Sequence, residues 1–234
     1  MKNTLKTALL LSAAAVALSA CGTGDHSTAP RTGSVDRALG KAAAEAARTA
    51  KPSANLASLE RQYNSNPTDA KIATSYGTAL REHGQANQSS LVLQSFAAAP
   101  DASVVTLREY ASTQLELGDY TLAETYARKA LAKDNTDAQA WHVLGIALDA
   151  QGTHEEAETA FRKALDLWEG DPVPIMNNLA LNLASQNHVP EAVEILKKAK
   201  ELAPNRVEVE RNLRIISTLN EGPNDFASTK AQGM

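Results

Sequence analysis

The stretch A-Q-A-W-H-V-L-G-I-A-L-D-A-Q-G-T-H-E-E-A-E-T-A-F-R-K-A, Ala138 to Ala164, decides how this chain is read. Its large and small residues recur along the chain at a fixed interval of 34 residues. Counting Ala138 as position one, Trp141 is fourth, Leu144 and Gly145 seventh and eighth, Gly152 fifteenth, Ala157 twentieth, Phe161 twenty-fourth and Ala164 twenty-seventh. One period earlier, from Val104, the same columns read Leu107, Tyr110, Ala111, Gly118, Ala123, Ala127 and Ala130. A further period back, from Ala70, they read Ala73, Tyr76, Gly77, Gly84, Ser89, Leu93 and Phe96. Forward, after one extra residue, a unit from Val173 gives Met176, Leu179, Ala180, Asn187, Ala192, Leu196 and Ala199, with Pro204 thirty-second.

Each column has a physical reading. Small residues at positions eight and twenty let two helices approach closely, and larger apolar ones at four, seven and twenty-four fill the space between units. Position fifteen is Gly in three units and Asn187 in the fourth, residues that tolerate the left-handed backbone ending a helix. Pro190 follows, where a first helical turn accepts it. Each unit is therefore helix, turn, helix, and neighbours must stack to bury their apolar stripes.

These columns resemble the tetratricopeptide repeat (TPR), with its W-x2-L-G-x2-Y, A-x3-F and late Pro. The resemblance implies an all-α superhelix of four units, 70–103, 104–137, 138–171 and 173–206, with a helix at 56–69 covering the first and one at 207–220 covering the last. In the first, Leu56, Leu59 and Tyr63 share a face. In the second, Val209, Leu213, Ile216 and Leu219 are expected inward, with Glu208, Glu210, Arg211 and Arg214 in water. The family's concave face is lined by the first helix of each unit. Carried over by position, the partner-binding candidates are Arg108, Ser112, His142, Ile146, Asn177, Asn178 and Leu181. Asn178 could bond a bound peptide's backbone or simply tie neighbouring helices. Trp168, beside the extra residue, could lid the junction of the third and fourth units or touch a partner.

Ahead of the repeats, Lys2 and Lys6 precede the apolar run Leu9–Leu18, which is shorter than the ~20 residues of a spanning helix. This reads as an export signal, 1–20. Its end, L-S-A-C, resembles a bacterial lipobox, which implies acylation at Cys21, the sole cysteine. Gly22 after it points, by the same resemblance, to the outer membrane, with the domain facing the periplasm. Residues 21–55 read as a tether with an Ala-rich helical stretch, and 221–234 as a disordered tail.

Net charge is −4 and there is no Lys/Arg run, which argues against nucleic acid. His26, His83, His142, His154 and His188 form no H-E-x-x-H or Cys/His cluster, and no G-x-S-x-G elbow occurs. The expectation is a non-enzyme without metal, cofactor or small-molecule substrate, binding protein partners in a mixed apolar and polar groove.

Val143–Ala157, N-N-L-A-L-N-L-A at Asn177–Ala184 and R-N-L at Arg211–Leu213 together resemble the TadD lipoproteins of tight-adherence (Tad, Flp) pilus assembly. That resemblance implies a pilotin-like role, assisting the outer-membrane secretin. The alternative is a scaffold or regulator of peptidoglycan hydrolases or other envelope machinery.

Overall fold

One side chain before each repeat starts its first helix. Column thirty-four holds Asp69, Ser103 and Asp137, whose side-chain oxygens accept backbone N–H groups of the turn that follows; in the fourth unit Pro172 takes the cap position and Asp171, one residue earlier, accepts from Val173 N–H. Such caps satisfy donors that a helix start leaves orphaned. The computed structural model describes residues 54–220. By its contacts the chain divides into two units, 1–57 and 58–234, and every repeat lies in the second. The export signal, Cys21, the tether up to residue 53 and the tail fall outside the described residues; Ala54 and Asn55, read as the end of the tether, open α1 instead.

Ten helices and no strands occur among the described residues. They are α1 (Ala54–Ser65), α2 (Ala70–Glu82), α3 (Ala86–Ala98), α4 (Val104–Leu117), α5 (Tyr120–Lys133), α6 (Ala138–Ala150), α7 (His154–Leu167), α8 (Val173–Ser185), α9 (Val189–Leu202) and α10 (Val207–Asn220). The turn inside each pair carries positive φ at Gly84, Gly118, Gly152 and Asn187, 71°, 78°, 81° and 66°. A Cβ on any of the three glycines would meet nothing within 4 Å, so column fifteen answers to backbone sign rather than to space.

Column eight does answer to space. A Cβ on Gly77 would sit 2.5 Å from Leu93 Cγ, and one on Gly145 2.6 Å from the Phe161 ring. Position eight thus receives position twenty-four of the same unit. At position twenty, Ser89 Oγ lies 3.0 Å from Thr113 Oγ1 of the next unit, and all four small residues of that column are fully buried, as close helix approach requires. Leu93, Phe161 and Leu196 are likewise sealed, and one apolar core runs from α3 to α10.

From α2 onward, successive helices pack in chain order. The first helices also reach one another across each unit: α2 to α4, α4 to α6, α6 to α8 and α8 to α10. They therefore line the inner face of the array. Near its start, Tyr63 of α1 stacks on Tyr76 of α2 with ring centroids 5.4 Å apart.

The last helix is the first helix of a fifth unit. Val207 holds position one, and Val209 and Ile216, at positions three and ten, are fully buried as Ile175 and Asn182 are in α8. What ends the array is chemistry at positions four and eight. There Glu210 and Arg214 stand exposed where earlier units carry apolar and small residues, so this face of α10 offers no apolar seat like those of the earlier units. Leu219, expected inward, is 49% exposed. It lies at position thirteen, one turn beyond Ile216, where no neighbour covers it.

Candidate protein-interaction groove

Position five of one first helix meets position six of the next. Asn178 Nδ2 donates to His142 Nε2 at 3.0 Å, and Asn212 Nδ2 donates to Asn177 Oδ1 at 2.8 Å. The sequence left two roles open for Asn178; its amide nitrogen ties α8 to α6. The same bond places the imidazole proton of His142 on Nδ1. Phe161 and Trp168 pack around that ring, with centroids 6.1 and 6.4 Å away. Burial pushes the His142 pKa down to about 4, because the cation would lose its hydration. Trp168 sits against the core at the junction of the third and fourth units, its indole N–H buried without an acceptor.

Toward the first unit the inner face is ionic. Arg81 bridges Glu109 at 3.0 Å and Glu116 at 2.9 Å, while Arg108 binds Asp137 at 2.7 Å and touches Glu109 at 3.4 Å. Asp137 works twice, since its other oxygen caps α6. Candidate Arg108 is therefore engaged within the fold. Thr74 and Thr106 join α2 to α4 through their hydroxyls, 2.8 Å apart.

Toward the last units the face changes character. Position nine reads Thr78, Ser112, Ile146 and Leu181, and α10 continues it with Ile215, which is 40% exposed. Ile146 and Leu181 are half-buried on the core. Of the seven groove candidates, His142, Asn177 and Asn178 are gathered into inter-helix bonds, and Ser112, Ile146 and Leu181 follow one another along the open row.

Two sets of residues escaped the sequence reading. One is the buried Asn182, whose amide donates to Asp149 at 2.7 Å and to the His154 carbonyl at 3.0 Å. His154 Nδ1 also binds Asp149, at 2.7 Å. The other is a repeated clamp on the outer face. Arg128 holds Glu124 and Glu156, and Gln151 reaches Glu124. One period on, Arg162 holds Glu158 and Glu191, and Gln186 reaches Glu158. The hydrogen bond from Arg128 pulls the Glu124 carboxyl below its ordinary range. Burial opposes the same shift at Glu158, but Arg162 and Gln186 outweigh it. The signal was available: Glu at position twenty-one, Arg at twenty-five, Glu at nineteen of the next unit. At the first junction those columns hold Ser90, Gln94 and Leu122, and no clamp forms.

Among the described residues no group of three or more His, Cys, Asp or Glu is placed to hold a metal ion, and no helix is long and apolar enough to cross a membrane.

Two family models described as tetratricopeptide repeat match residues 111–172 and 175–203. A curated relative, protein NPGR1 of Arabidopsis thaliana, is 28% identical over 136 residues, 57% of this chain. The chain spans only 19% of that protein's length. Among solved structures, MamA of Desulfovibrio magneticus RS-1 is 20% identical with a TM-score of 0.56, over 74% of this chain and 96% of that one. TTC0263, a thermophilic TPR protein of Thermus thermophilus, is 19% identical with a TM-score of 0.59, over 80% and 96%. YrrB, described as a TPR protein with an unusual peptide-binding site, is 17% identical with a TM-score of 0.55, over 74% and 86%. Columns, geometry and matched repeats agree: the described chain is an all-α superhelix of tetratricopeptide repeats, four complete units and the first helix of a fifth.

Proposed function

We propose that this protein is a lipid-anchored periplasmic adaptor of the outer membrane that captures a protein segment in its inner groove, in a pilotin-like role for the secretin of a Tad-type (Flp) pilus. The observation that carries the capture is the row Ser112, Ile146, Leu181 and Ile215, which stays open while nearly every charged group around it is already paired. A face built only for stability would have closed that row. YrrB, a fold relative, is described as binding peptide, which supports the same use here. Anchoring rests on the lipobox-like L-S-A-C ending at Cys21, and the pilus assignment on the TadD-like stretches.

The full-length lipidated chain, recovered from detergent-solubilised membranes, is expected to bring the secretin with it. Ser112→Trp, which fills the groove without removing packing, should abolish that capture while helical content is retained. Cys21→Ser should leave a folded protein released from the membrane. Recovery of peptidoglycan hydrolases without secretin would refute the pilus assignment and favour the hydrolase scaffold. Capture unaffected by Ser112→Trp would refute the groove.

A further inference from the structure

The resemblance gives the inner face to positions two, five, six, nine and twelve of each first helix, and among the described residues every carboxylate in those columns is occupied. Glu109 holds Arg81 and Arg108, Asp149 holds His154 and Asn182, and Glu208 holds Arg206. The unpaired charges of these columns are cationic, Lys71 at one end of the array and Arg211 at the other. Arg211 stands at position five of α10, one helical turn before Ile215, so the two share a face. The apolar row Ile146, Leu181 and Ile215 therefore ends beside a free guanidinium.

The spacing of that row restricts its ligand. Helices in contact pack about 8–10 Å apart, and successive first helices touch and bond here, so position nine is taken to repeat on about that scale. A β-strand puts same-face residues ~6.8 Å apart, and the next pair ~13.6 Å, neither of which matches. A polyproline II segment aligns every third side chain on one face at ~9.3 Å. An α-helix could match with residues seven apart, ~10.5 Å. Leftover hydrogen-bonding capacity separates the two. Asn177 Nδ2, Asn178 Oδ1 and the Ser112 hydroxyl keep capacity that the inter-helix bonds do not use. A helix has its backbone satisfied internally and could not use it, whereas polyproline II leaves every backbone group open.

We infer that the C-terminal half of the groove, completed by α10, takes a polyproline II segment. Its apolar side chains fall at every third residue on Ile146, Leu181 and Ile215, and a carboxylate next to the last of them meets Arg211. This rests on the groove reading above and adds the conformation, register and charge of the captured segment.

Three synthetic peptides test it by fluorescence anisotropy against the full chain. The first has Leu at every third position among Pro and Ser and a terminal Glu. The second replaces that Glu with Gln, and the third is an Ala-rich helical peptide with Leu seven apart. The first should bind best. Ile215→Ser should weaken it about tenfold, the order of one apolar contact. Arg211→Glu should erase the preference for Glu over Gln and create one for a Lys-ended peptide. Both positions are exposed, so circular dichroism should be unchanged. Tighter binding of the helical peptide, no binding of the first, or indifference to both substitutions each overturns the inference. If Ser112→Trp abolishes partner capture while Ile215→Ser and Arg211→Glu leave it intact, the groove stands and this ligand falls.

Discussion

His142 provides a direct measure of how tightly the third and fourth units are joined. Its ring accepts from Asn178 Nδ2 and packs between Phe161 and Trp168, and burial holds its pKa down at about 4 against an ordinary 6.5. The folded state therefore keeps the ring neutral while the unfolded chain takes up the proton. Stability falls as pH drops from about 6.5 toward about 4 and levels off below, because the unfolded state binds the proton first. At pH 5 the difference in proton uptake amounts to about 2 kcal/mol. The assay is urea unfolding at pH 7.5 and pH 5 for wild type and His142→Gln. Wild type should lose about 2 kcal/mol more than the variant over that interval, since Gln does not titrate. NMR titration of the ring protons reads the same quantity directly. A midpoint in the ordinary histidine range, or equal acid losses in the two proteins, would show that the ring is not shielded and would undo this account of the junction.

Gly145→Ala should cost about 1–3 kcal/mol by overpacking, since its methyl would meet the Phe161 ring, and Phe161→Leu should restore part of it in a double-mutant cycle. Asn182→Leu takes one donor from Asp149, which keeps His154, and one from the His154 carbonyl; denaturation should show a loss of about 1–3 kcal/mol, whereas no loss would mean that water replaces the amide. Arg162→Ala removes half of one outer clamp from an exposed site, so the expected cost is under about 1 kcal/mol and should shrink in high salt. Because Glu124 and Glu158 are held below their ordinary range, the clamps contribute fully above that range and lose their contribution as pH falls through the depressed values. Acid titration of Arg128→Ala with Arg162→Ala should lack that component.

The sequence showed those parts of the fold in which one residue does one job per unit. Positive φ at Gly84, Gly118, Gly152 and Asn187 follows from a column only such residues satisfy, and the depth of Phe161 and Leu196 follows from periodicity. It concealed what depends on pairs. The gap at position eight takes the side chain of position twenty-four, because a gap is defined by the side chain that enters it. Asn182 looked like one polar residue in an apolar helix until Asp149 and His154 were seen to converge on it. The groove candidates were named by position, but position could not say that His142, Asn177 and Asn178 would bond neighbouring helices, nor that Ile215 would continue the row beyond the last complete unit.

The ion pairs also sit on different edges of different joints. Between the first and second units they lie inside, at Arg81; between the third and fourth the arginine pair lies outside, at Arg162, while the inner edge is joined by the Asn178–His142 and Asn182–Asp149 hydrogen bonds. A joint fastened along its inner rim yields by parting at the back, which tightens the curl. One fastened along its outer rim yields by parting at the front, which flattens it. Raised salt, which screens exposed pairs, would therefore loosen the first joint at its inner rim and the third at its outer rim.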